Sequence, residues 1–109
     1  MDLVAKVQRV AEAQTKRFPE GNDPFKIGCR IAEEVGEVIW ELNHYERKNI
    51  PLAKNCAEGK DELVKETYQV FIALNQLLQY FDLSSAFENR IDEVYEEYVD
   101  KGFISNTEG

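Results

Sequence analysis

Apolar residues recur at intervals of three and four along most of this chain, and no stretch alternates apolar and polar residues with the β-branched enrichment of a strand. That regularity restricts the fold to packed helices. Turn signals cut the pattern into four helical stretches. The first runs from about Asp2 to Arg17 and stops before Phe18-Pro19-Glu20-Gly21. Asn22-Asp23-Pro24 then reads as an N-cap with proline in the first turn of a second helix, which continues to about Arg47. The loop around Asn49-Ile50-Pro51 ends it. A third helix begins near Gly59-Lys60-Asp61 and extends to about Phe81. Ser85-x-x-Glu88 has the form of a capping box opening a fourth, which runs to Lys101 with Gly102 as its stop. No repeat or linker divides the sequence, so the expectation is one all-α, four-helix, bundle-like domain over residues 1–109.

Charge narrows the partners. Acids outnumber bases 21 to 13, a formal net charge of −8. Nucleic-acid binding rests on Lys and Arg neutralising phosphates, so that class is disfavoured. A small phosphorylated ligand remains compatible if a metal cation sits between the acids and the phosphates. The 2 cysteines, Cys29 and Cys56, form no CxxC motif, and a reducing cytosol is the expectation. The N-terminus lacks a signal-peptide core, and no apolar run approaches the ~20 residues that span a bilayer. A soluble, cytoplasmic protein without membrane contact follows as an expectation.

Helical phase places the acids. On the second helix Ile27, Ile31, Val35, Val38 and Leu42 form one apolar stripe, and Glu34, Glu37 and Glu41 fall on an arc beside it. On the third, Leu63, Val70, Leu74, Leu77 and Phe81 form the stripe, with Glu62, Glu66 and Gln69 displaced in the same sense. Antiparallel packing of the two stripes would bring the arcs together at the rim of the core. Carboxylates so concentrated call for a cation. Mg²⁺ suits an all-oxygen set, with Mn²⁺ as the alternative. Cys29, Cys56 and His44 lack zinc spacing, and no Glu-x-x-His supports a di-iron site. The competing reading is an ordinary solvated acidic face. Both helices also carry a second apolar side: Ala32, Gly36, Ile39 and Trp40 on one, Val64, Phe71 and Ile72 on the other. In so short a chain another subunit is the expected cover.

Ile31-Ala32-Glu33-Glu34-Val35-Gly36-Glu37-Val38 closely resembles the EExxE motif of the MazG-like family of all-α nucleoside triphosphate pyrophosphatases. Lys65-Glu66-Thr67-Tyr68-Gln69-Val70-Phe71-Ile72 resembles its second motif, ExxD followed by apolar residues, and the tail Asp100-Lys101-Gly102-Phe103 also fits. The resemblance spans most of the chain, with the first motif the specific part. It implies a MazG-type domain completed by dimerisation, as a homodimer or homotetramer with the site at a subunit interface. The implied activity is Mg²⁺-dependent hydrolysis of an NTP or dNTP to the monophosphate and pyrophosphate, in the house-cleaning of nucleotide pools. By position, Glu34, Glu37 and Glu66 become metal ligands, and Glu33 a further acid that binds metal or orients the attacking water.

Where the family has Asp as the last ligand, this chain has Gln69, a neutral ligand at best. Glu62, one turn before Glu66, could partly restore the charge. The rival class is therefore a catalytically degenerate helical dimer serving as a binding or regulatory module, and the phosphoribosyl-ATP pyrophosphatase branch is a second alternative within the enzymes. Arg30 reads either as a phosphate contact or as an i,i+4 partner of Glu34. Lys101 reads as a phosphate contact or as a helix-end cation. Trp40 and Tyr68 read as base-stacking rings or as interface residues. His44 reads as a surface residue.

Overall fold

The computed structural model of the protein describes residues 1–47 and 57–105. The expected loop at Asn49-Ile50-Pro51 and Cys56 lie outside them. Four α-helices and no strand occur among the described residues: α1 (Leu3–Arg17), α2 (Pro24–Arg47), α3 (Ala57–Tyr80) and α4 (Ser84–Asp100), with a single 3-10 turn at Pro19–Gly21. The all-α expectation is met. No helix among the described residues is long and apolar enough to cross a membrane.

Local chemistry sets the boundaries. Asp2 caps α1 by accepting the Ala5 N–H at 2.8 Å. Asp23 does the same for α2, taking the Phe25 and Lys26 N–H groups at 3.0 Å each, with Pro24 pre-set in the first turn. α3 and α4 end in αL closures. Asp82 adopts φ 55° at the end of α3, where the Leu83 N–H reaches the Leu78 carbonyl at 2.8 Å. Gly102 adopts φ 81° at the end of α4, with the Phe103 N–H on the Tyr98 carbonyl at 2.8 Å. The Phe103 ring then sits edge-on to Tyr98, 5.9 Å between centroids, the apolar contact that accompanies such a closure.

The capping box does not form. The closure of α3 hands the chain straight into α4, so Leu83 takes the N-cap position without a side-chain bond and Ser85 lies inside the helix. Glu88 instead accepts from Gln8 Nε2 on α1 at 2.9 Å.

α3 is the element on which α2 and α1 pack, while α4 touches it sparingly. The pairing of Arg30 with Gln76, and of Glu34 and Glu37 with Glu66, makes α2 and α3 antiparallel. Ala11, Ile27, Ile72 and Ala73 form the buried core, joined by Gln76. This corrects the phase expected for α3. Ile72 belongs to the covered face, whereas Leu74 and Phe81 are exposed. The reason is that α3 serves two neighbours at once, so its buried line runs between the two apolar stripes. Ile39, Trp40, Val64 and Phe71, from the second apolar sides, are exposed in the single chain. The radius of gyration, 17.0 Å, exceeds the roughly 13 Å expected for a compact domain of this length.

Candidate metal centre

Glu34 and Glu37 stand one turn apart on α2, and the antiparallel approach of α3 sets Glu66 opposite them. One carboxylate oxygen from each lies within 4.8 Å of the others. Glu34 and Glu66 are half-buried and Glu37 is exposed. Three carboxylates at this spacing repel one another. Burial, followed by the neighbouring Glu37 charge, pushes the Glu34 carboxyl above its usual range. Glu37 is raised first by a side-chain hydrogen bond with Glu66 and then by desolvation. One oxygen of Glu34, Oε2, is buried with no hydrogen-bond partner. An unpaired buried acceptor is costly, and an ion or a proton in the cluster relieves it.

The donor set is all oxygen, without imidazole or thiolate. It therefore fits a hard divalent cation that takes a few carboxylates and completes its shell with water or phosphate oxygen. Glu33 is exposed beside the cluster, and its charge adds to the raised position of both Glu34 and Glu37. Glu62 is half-buried one turn before Glu66, outside the group of three. Gln69 is half-buried one turn beyond Glu66 on the same arc.

The two candidate phosphate-binding cations have other partners in the single chain. Lys101 pairs with Glu97 at 2.8 Å at the end of α4. The Arg30 guanidinium is bonded to groups other than Glu34 and braces the molecule. Its Nη1 donates to the Gly21 carbonyl at 3.1 Å and its Nη2 to Gln76 Oε1 at 3.1 Å. Gln76 Nε2 in turn donates to Thr15 Oγ1 at 3.3 Å, so one polar chain ties the α1–α2 turn, α2, α3 and α1 together. It lines a cavity of about 140 Å³ that Gln14, Phe18 and Asn22 complete. A Cβ at Gly21 would sit 2.8 Å from Arg30 Nη1, so a side chain there would push the guanidinium off the Gly21 carbonyl. Gln76 was not singled out from the sequence. Its signal was a glutamine inside the apolar run Ile72-Ala73-Leu74-Asn75-Gln76-Leu77-Leu78.

Trp40 stacks on His44 at 4.5 Å between ring centroids, one turn along α2 from Glu37. The Tyr68 hydroxyl accepts from Gln14 Nε2 at 2.9 Å. The free thiol of Cys29 is exposed on α2. Comparison with protein-family models, with curated proteins and with solved structures returns no match.

Proposed function

We propose that this protein is a Mg²⁺-dependent nucleoside triphosphate pyrophosphohydrolase of the MazG-like kind. It would act in the cytoplasm on nucleotide pools, as a homodimer or homotetramer. The observation that carries the reading is the convergence of Glu34, Glu37 and Glu66 within 4.8 Å, with the buried Glu34 Oε2 left unpaired. These are the three acids that the resemblance assigns to the metal, and they come from both motif-bearing helices.

In this reading Glu34, Glu37 and Glu66 hold the cation, with Mn²⁺ able to replace Mg²⁺, and Gln69 adds a neutral carbonyl ligand. The cation supplies charge neutralisation to the polyphosphate and a site for water. Glu33, exposed beside the cluster, accepts a hydrogen bond from the attacking water and orients it. Water adds at the α phosphorus and pyrophosphate leaves, giving the nucleoside monophosphate. Lys101 is engaged by Glu97 and Arg30 by Gly21 and Gln76 in the single chain, so in this reading the cation carries most of the charge balance. Glu62 acts at a distance, through the field of a further carboxylate on the α3 arc.

The neutral Gln69 favours the second reading, a degenerate site on a binding or regulatory module. Pyrophosphate release from a panel of natural and modified NTPs, with Mg²⁺ or Mn²⁺, separates the two. The expected result is metal-dependent turnover that Glu37→Ala abolishes while helical content is kept. Turnover that survives Glu37→Ala removes the site assignment. No turnover in the wild type, with a large gain on Gln69→Asp, establishes the degenerate site.

A further inference from the structure

Arg30 is a half-buried cation whose partners are both neutral: the Gly21 carbonyl and Gln76 Oε1, each at 3.1 Å. No carboxylate among the described residues pairs with it. Scarcity does not explain this, since the chain holds 21 acids against 13 bases. A charge withdrawn from water costs free energy unless a counter-charge or a full set of hydrogen bonds compensates it. The guanidinium offers five N–H donors, and its two bonds leave three of them over.

The same side chain lines the cavity of about 140 Å³, space for roughly five waters at the density of the liquid. Every other residue of the wall is uncharged. The Asn22 side chain is exposed on that wall and makes no hydrogen bond to another described residue. The Phe18 ring, clasped by the Arg17 guanidinium at 5.0 Å, supplies an aromatic surface. One cation, one unused amide and one ring around a small space describe a site for a small anion with a hydrocarbon part.

Charge and shape choose the anion. A single positive group neutralises one negative charge and no more. Glu34 begins the carboxylate cluster one turn along α2, and the net charge is −8, so a second negative charge on the ligand meets repulsion. A carboxylate carries one charge at neutral pH, and its two coplanar oxygens match the planar guanidinium. Inorganic phosphate carries more charge and has no flat edge. We infer that the cavity binds a small monocarboxylate, its oxygens on Arg30, the Asn22 amide donating to one of them, and its short carbon chain against Phe18. The site is separate from the carboxylate cluster and does not depend on the nucleotide reading.

The test is titration of the metal-free protein, at constant ionic strength, with acetate, propionate, acetamide and inorganic phosphate. The Arg30 Nε–H signal is followed by heteronuclear NMR, and no nucleotide is present, so this result and pyrophosphate release can each fail alone. Saturable shifts are expected with acetate and propionate, and binding of acetamide and of phosphate should be weaker by about tenfold or more. Asn22→Asp, an isosteric change at an exposed side chain, sets a like charge beside the ligand and should weaken acetate binding by about tenfold. Arg30→Met should abolish it with helical content kept, as read by circular dichroism. No saturable shift with either carboxylate overturns the site. Acetamide binding as tightly as acetate overturns the role given to charge, and phosphate binding more tightly overturns the choice of a carboxylate. Should Arg30→Met lose helix, Asn22→Asp decides alone, and unchanged acetate affinity in that variant overturns the placement.

Discussion

Replacing Gln76 with methionine isolates the brace that sets α2 against α3. Methionine preserves the volume and helix preference at a position only 7% exposed, so the change is confined to two hydrogen bonds. Gln76 Oε1 accepts from the charged Arg30, a class of bond worth about 1.5–3 kcal/mol, and Nε2 makes a longer neutral bond to Thr15 worth about 0.5–1.5 kcal/mol. Water can reach the half-buried guanidinium and recover part of the first. A net loss of about 2 kcal/mol is expected, or roughly 10 °C in Tm for a chain of this size. Urea titrations of wild type, Gln76→Met, Arg30→Met and the double variant, at matched protein concentration, complete a cycle whose coupling should be about 1–2 kcal/mol. Because Glu34 lies one turn beyond Arg30, Mg²⁺ binding should weaken in both single variants although neither residue belongs to the cluster. A coupling below about 0.5 kcal/mol, the scatter of independent sites, would refute the brace and its role in positioning the acids.

Two further expectations concern the cluster and the turn. Glu34 and Glu37 have raised carboxyls in the fold, so between the ordinary value of 4.5 and their raised values the native state holds more protons than the unfolded one. Stability of the metal-free protein should therefore fall as pH rises through that window, and thermal melts with and without Mg²⁺ should differ most at neutral pH. Glu37→Gln should flatten both trends, and a metal-free protein that gains stability across the same window would contradict the origin given for the shifts. Asp82→Gly removes the steric cost of a non-glycine residue at φ 55° and should raise stability by about 0.5 kcal/mol after the entropy of the unfolded glycine is counted. Asp82→Val, read in the same urea titration, should lower it.

Much of the architecture was written in short-range chemistry. Asp2, the Asp23-Pro24 pair and Gly102 each mark a helix end by a hydrogen bond or a backbone conformation that only a few residue types supply. The closure at Asp82 is harder to read because aspartate in the left-handed region leaves no mark as plain as glycine, and it moves the N-cap of α4 from Ser85 to Leu83. The face of α3 was misjudged for a longer-range reason. Leu63, Val70, Leu74, Leu77 and Phe81 make a good stripe by phase, yet phase cannot say which apolar side the chain covers for itself and which it leaves bare. The Glu34, Glu37 and Glu66 group was legible because two neighbouring helices and their antiparallel sense suffice to bring it together. The surroundings of Lys101 and Arg30 were not, since they depend on how far α4 leans from α3 and on a turn in which Gly21 lets an arginine pass.

The left-handed residue at Asp82 has one more effect. It joins two long helices through only three residues, 81–83, and the Leu83-to-Leu78 bond fixes how the second leaves the first. The angle at which α4 projects is thus set by backbone chemistry before any encounter. A helix already held at its working inclination loses little freedom when it meets a complementary surface, and collision need not await a rearrangement. The small hinge between α3 and α4 behaves as a rigid elbow.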